Sequence, residues 1–140
     1  MRVALALALL LAPLGCGGEA VGVVRIPLTS PAALDPTLID QVVIVAVKGA
    51  STSCVATTGS NTCYGLQSTN TARAASGFLD AVTLTAGGGS VATFSGLPRA
   101  KTCFVAEALA LGGKPLALGC AEVELTQETN KIEILLAPAP

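Results

Sequence analysis

Apolar residues in this chain fall into strand-sized runs separated by polar, proline- or glycine-rich breaks, and the pattern is read most easily from residue 20 onward. Residues 20–28 are apolar and β-branched, with Arg25 as their one charge, before Thr29-Ser30-Pro31 interrupts them. Residues 41–48 carry valine on both alternating sets of positions, the mark of a strand covered on both faces. Residues 78–85 and 90–95, joined across Gly87-Gly88-Gly89, predict a hairpin that Gly96-Leu97-Pro98 ends. In residues 102–110, Phe104, Ala106 and Ala108 share one face, with Cys103 and Glu107 on the other. Gly112-Gly113 predicts a turn, after which residues 116–125 set Val123 and Leu125 against Glu122 and Glu124. Residues 131–136 put Ile132, Ile134 and Leu136 on one side. Residues 32–40, 50–53 and 57–62 read as loop, 64–67 as a short edge strand, and 69–77 as loop with one helical turn at 72–75. No run has the length and period of an ordinary helix. The prediction is an all-β domain, an antiparallel β-sandwich of about seven to eight short strands.

The N-terminal run is different. Met1-Arg2 is followed by 12 unbroken apolar residues, 3–14. A membrane span takes about 20, so this run fits the core of a secretory signal instead. It closes in Pro13-Leu14-Gly15-Cys16, which resembles a bacterial lipoprotein signal, whose usual ending is Leu, a small residue, Gly or Ala, then Cys. Gly15 and Cys16 match position by position. Pro13 and Leu14 depart from the order and Leu11 stands two places early, so a plain secretory cut nearby is the competing reading. The resemblance implies that residues 1–15 are removed and that Cys16 carries a diacylglyceryl thioether and an amide-linked chain. Residues 16–19 would then be a lipidated cysteine with a short linker, and residues 20–140 a single domain. It implies a membrane partner through the lipid and a place in the bacterial cell envelope, at the outer membrane, with the periplasmic or surface face left open. Three linker residues span about 10 Å at most, which would hold the domain close to the bilayer.

Cysteine parity adds to this picture. Five cysteines leave one over in an exported chain. With Cys16 acylated, Cys54, Cys63, Cys103 and Cys120 remain for two disulfides, in any of three connectivities. Pairing of neighbours, Cys54 with Cys63 and Cys103 with Cys120, is simplest because each pair brackets turn-forming residues. A four-residue loop at 110–113 would set Cys103 directly opposite Cys120. A tighter turn at Gly112-Gly113 would set Glu122 there instead.

A second resemblance lies in Phe94-Ser95-Gly96-Leu97-Pro98 followed by Thr102-Cys103-Phe104-Val105-Ala106. It is similar to the signature of small bacterial transthyretin-like domains, also called prealbumin-like or carboxypeptidase-regulatory-like. Phe94, Leu97, Pro98 and Phe104 match; Ala100 stands where Gly is commonest, and Cys103 is an addition. The resemblance covers about residues 41–136 and implies a transthyretin/Ig-like sandwich. It implies little about function, since such domains serve as spacers, scaffolds and binding modules alike.

Composition narrows the function classes. Charged residues are 12% of the chain, the net charge is −1, and no histidine is present. That balance gives no footprint for nucleic acid, and the missing histidine removes the commonest general base and metal ligand. Aromatics are Tyr64, Phe78, Phe94 and Phe104, a small number that argues against a sugar- or base-stacking platform. Gly87-Gly88-Gly89-Ser90 lacks the lysine and helix of a phosphate loop. Glu122 with Glu124 reads as a solvated strand face rather than an acid–base pair. Asp35, Asp40 and Asp80 lack the ligand density of a calcium loop. Lys48 or Lys101 with an Asp or Glu partner, or with Asn130 near the last strand, could form an isopeptide crosslink, a role that disulfides already fill. The apolar strand 41–48 hints at a partner surface, with burial under a neighbouring loop preferred. No enzyme activity, cofactor or metal is expected. The expectation is a non-enzymatic envelope lipoprotein acting as a structural or protein-interaction module, with an envelope protein as partner. The alternative is a small-ligand or carbohydrate-binding accessory domain.

Overall fold

The computed structural model of the chain describes residues 18–27, 35–49, 68–85 and 90–139. Among the described residues eight strands run in the order β1 (Glu19–Arg25), β2 (Gln41–Lys48), β3 (Phe78–Thr85), β4 (Val91–Pro98), β5 (Lys101–Leu109), β6 (Pro115–Glu124), β7 (Thr129–Glu133) and β8 (Ala137–Pro138). They form a three-stranded sheet, β4-β1-β7, and a five-stranded sheet, β3-β2-β5-β6-β8. The alternation that predicted the strands is what closes the two sheets on each other. Val24, Ala92, Phe94, Leu97 and Ile132 from the smaller sheet meet Val42, Ile44, Phe104, Ala106 and Ala117 from the larger in one buried cluster. The Phe94 and Phe104 rings meet edge to face, 5.5 Å apart at 66°, the arrangement their quadrupoles favour. The fold is thus the expected all-β sandwich. Each pairing is antiparallel except β1 with β7, which run parallel.

The expected hairpin of residues 78–85 with 90–95 does not form. β3 pairs with β2 in the larger sheet, and β4 pairs with β1 in the smaller one. Alternation fixes which face of a strand is buried, not which strand lies beside it, so two runs joined by glycines can cross between sheets as well as fold back. β4 also continues through Gly96-Leu97-Pro98 rather than stopping. Gly96 takes φ +69° beside an irregular step between Ala20 and Gly22. Pro98 lies at the end of an edge strand, a position where a missing N–H is tolerated.

β2 is buried at six consecutive positions. Val42, Ile44 and Ala46 face the inter-sheet core, whereas Val43, Val45 and Val47 lie in a second cluster with Ala72. Ala72 belongs to α1 (Thr69–Ala74), longer than the single turn expected at 72–75. Ser68 caps α1 by accepting the Thr71 N–H at 3.1 Å. A short 3-10 helix, Pro36–Leu38, interrupts the loop before β2. The expected edge strand at 64–67 and the loops at 50–53 and 57–62 lie outside the described residues.

After β7 the chain crosses from the smaller to the larger sheet. Ile134 and Leu136 enter the core during the crossing, and β8 pairs with β6. The crossing chain lies so close that a Cβ at Gly119 would overlap the Leu135 carbonyl and stand 2.9 Å from Ile134 Cγ2.

Candidate functional site

Two outer faces are left once the sandwich has closed. On the larger sheet, β5 and β6 turn Cys103, Val105, Glu107, Leu118, Cys120 and Glu122 away from the core, toward the side that α1 covers. Glu107 is buried and accepts a 2.8 Å hydrogen bond from the Thr69 hydroxyl at the start of α1. A buried carboxylate is costly without such a partner, so this bond fixes where α1 sits. The face of β2 that the sequence pattern left open to a partner is covered by α1.

The cysteines of this face are not arranged as expected. Cys103 stands opposite Glu122, while Cys120 stands opposite Val105. Cys103 is a buried free thiol. Its Sγ–H points at Glu122 Oε2 across 3.9 Å, and Lys101 Nζ pairs with Glu122 Oε1 at 3.4 Å. Cys120 is disulfide-bonded, and its partner lies outside the described residues. Pairing of Cys103 with Cys120 is therefore corrected. The cause is the turn: Ala110 donates to the Lys114 carbonyl at 2.8 Å and Gly113 to the Ala110 carbonyl at 2.9 Å. The resulting tight loop, with an irregular step between Ala108 and Leu109, selects the register that puts Glu122 opposite Cys103. Cys16, Cys54 and Cys63 lie outside the described residues, as do Gly87-Gly88-Gly89.

The remaining candidates are dispersed. Asp35 accepts hydrogen bonds from the Thr37 hydroxyl at 2.6 Å and the Thr37 N–H at 2.9 Å, capping the 3-10 helix. Those two bonds, the hydroxyl's first, hold its carboxyl below the usual aspartate value. Asp40 precedes β2, and Asp80 sits in β3 opposite Ala46, where it accepts the Ala81 N–H at 2.8 Å. Among the described residues no group of three His, Cys, Asp or Glu could hold a metal ion. Glu122 is engaged with Lys101, and Glu124 is exposed two residues on. The Asn130 amide donates to the Gln127 and Val21 carbonyls at 2.8 and 3.3 Å, so it closes its own turn, in the sheet that does not contain Lys48.

The second outer face belongs to the smaller sheet, and it is more open. β1 turns Val21, Val23 and Arg25 outward, β4 turns Val91, Thr93 and Ser95, and β7 turns Thr129, Lys131 and Glu133. In register, Val23 lies between Thr93 and Lys131, and Arg25 between Val91 and Glu133. A groove of about 280 Å³ opens here, lined by Val23, Arg25, Val91, Lys131, Ile132 and Glu133. Val91 is 49% exposed. Among the described residues neither Arg25 nor Lys131 has a carboxylate within 4.0 Å. Sequence reading did not single out this site, because its residues come from three distant strands and meet only through sheet order. The one local signal was Arg25, a lone charge in an apolar run.

No protein-family model, no curated protein and no solved structure matches the chain. Among the described residues no helix is long and apolar enough to cross a membrane.

Proposed function

We propose that this chain is a bacterial envelope lipoprotein, held to the outer membrane through Cys16, whose sandwich acts as a structural or protein-interaction module rather than as an enzyme. The observation that carries the reading is the asymmetry between the two outer faces. The larger sheet is packed against α1 and buries Glu107 in a bond to Thr69, whereas the smaller sheet offers an open groove with two cations that have no carboxylate partner among the described residues. β1 starts at Glu19, three residues after Cys16, so an acylated chain would hold the sandwich against the bilayer with β1 pointing away from it. The Val23–Arg25 groove would then face away from the anchor, within reach of other envelope proteins. The transthyretin-like motif supports the same reading: Phe94, Leu97 and Phe104 are all core residues. Carbohydrate stacking draws less support, since Phe94 and Phe104 are buried in that core.

Changing Cys16→Ser tests the anchor. The variant should move from the membrane fraction to the soluble exported fraction. Retention on membranes after a high-salt wash would overturn the lipoprotein reading.

A further inference from the structure

We propose that the groove on the β4-β1-β7 face binds an extended peptide segment that carries two carboxylates two residues apart beside an aliphatic side chain. The inference rests on the interaction-module reading and names what that module takes. The outward side chains Val23 and Val91 make its floor aliphatic, and no aromatic ring lines it. That favours a branched aliphatic side chain over a sugar or a base. Arg25 and Lys131 stand on adjacent strands one diagonal step apart, since Val23 is the residue paired with Lys131. Diagonal neighbours in a sheet are about 7–8 Å apart. Same-face residues of an extended chain are about 7 Å apart. An extended segment with acidic residues at positions i and i+2 thus places one carboxylate at each cation, and the parallel diagonal from Val23 to Val91 leaves an aliphatic strip beside it. Glu133 stands opposite Arg25 without an ion pair to it. Its charge opposes a multiply charged anion such as phosphate and tolerates singly charged carboxylates spread along a chain.

The test is a titration of the isotope-labelled mature chain in nanodiscs with acetyl-Leu-Ser-Glu-Ser-Glu-Ser-Leu-amide, read by amide chemical shifts. The lysine counterpart of this peptide, with Lys at both Glu positions, serves as the comparison. The acidic peptide should shift Val23, Arg25, Val91 and Lys131, and the lysine peptide should not. The double variant Arg25→Ser, Lys131→Ser should weaken binding about tenfold while its spectrum elsewhere stays unchanged. Equal binding of both peptides, shifts confined to another face, no binding, or unchanged affinity of the double variant would each overturn the proposal. Membrane retention is scored on the same samples. A chain that stays anchored and binds no peptide sinks the groove alone, and a Cys16→Ser chain that stays on membranes sinks the anchor alone.

Discussion

Gly119 shows how one residue in this fold is chosen by what passes over it. The crossing segment from β7 to β8 lays the Leu135 carbonyl against its Cα, where any side chain would collide with backbone rather than with a movable side-chain tip. Overpacking of this kind costs about 1–3 kcal/mol and more where the neighbour cannot yield. Gly119→Ala should therefore lower the midpoint of thermal unfolding by about 5–10 °C. At Gly18 the nearest atoms to a new Cβ belong to the Arg99 side chain at 3.5 Å, so Gly18→Ala should stay within about 1 °C of the parent. Calorimetry on the two variants checks both, and equal midpoints would mean that the crossing segment does not press on β6. Neither glycine could be ranked from the chain alone, because Gly119 sits in a run that reads as ordinary strand.

At the level of elements, faces were legible and neighbours were not. The bounds expected for β2 from valine on both faces and for β3 from the run before the triple glycine, 41–48 and 78–85, are the observed ones. Ile132, Ile134 and Leu136 are all buried, but the strand expected over 131–136 ends at Glu133, and the last two are buried by the segment that crosses to the larger sheet. The expected hairpin failed because β3 and β4 can satisfy the same alternation against different partners. The register of β5 on β6 was left open between two turns; the pairing of the tighter one is observed, but it is reached through a three-residue loop closed by Ala110 and Lys114 with an irregular step between Ala108 and Leu109. Gly112 and Gly113 take φ +88° and +83°, in the left-handed region, with nothing within 4 Å of a Cβ at either. A substitution there therefore meets backbone strain alone, about 1–2 kcal/mol per residue for a side chain that resists that region. Gly113→Ala should destabilise by about 1 kcal/mol and Gly113→Asn by less, since Asn tolerates left-handed backbone. Denaturant unfolding of the pair measures this order, and the reverse order would remove the conformational argument for the turn.

At the scale of the molecule, the cysteines decide how the larger sheet is tied to the rest of the chain. Parity and compartment predicted disulfides; the turn then denied the pairing of Cys103 with Cys120 by sliding Glu122 into place. What results is an asymmetric pair of sulfurs on one face, with Cys103 a buried thiol and Cys120 in a bond that reaches outside the described residues. That asymmetry has a thermodynamic signature. If the two were joined to each other, replacing either by serine would remove the same crosslink and lower stability about equally. In the observed arrangement Cys120→Ser removes a crosslink, typically about 2–4 kcal/mol. Cys103→Ser replaces a buried thiol by a hydroxyl that can still donate to Glu122, for about 1 kcal/mol. Cys120→Ser should accordingly lower the unfolding midpoint two- to threefold further than Cys103→Ser, by about 8–15 °C against about 3–5 °C. Reduction should lower the midpoint of the Cys103→Ser variant and leave that of the Cys120→Ser variant nearly unchanged if no second crosslink is present. Alkylation of the denatured, unreduced protein should label Cys103 and spare Cys120. Equal losses in the two serine variants, with neither sulfur labelled, would restore the bond within the β5–β6 pair and require the four-residue loop that the turn at Gly112-Gly113 replaces.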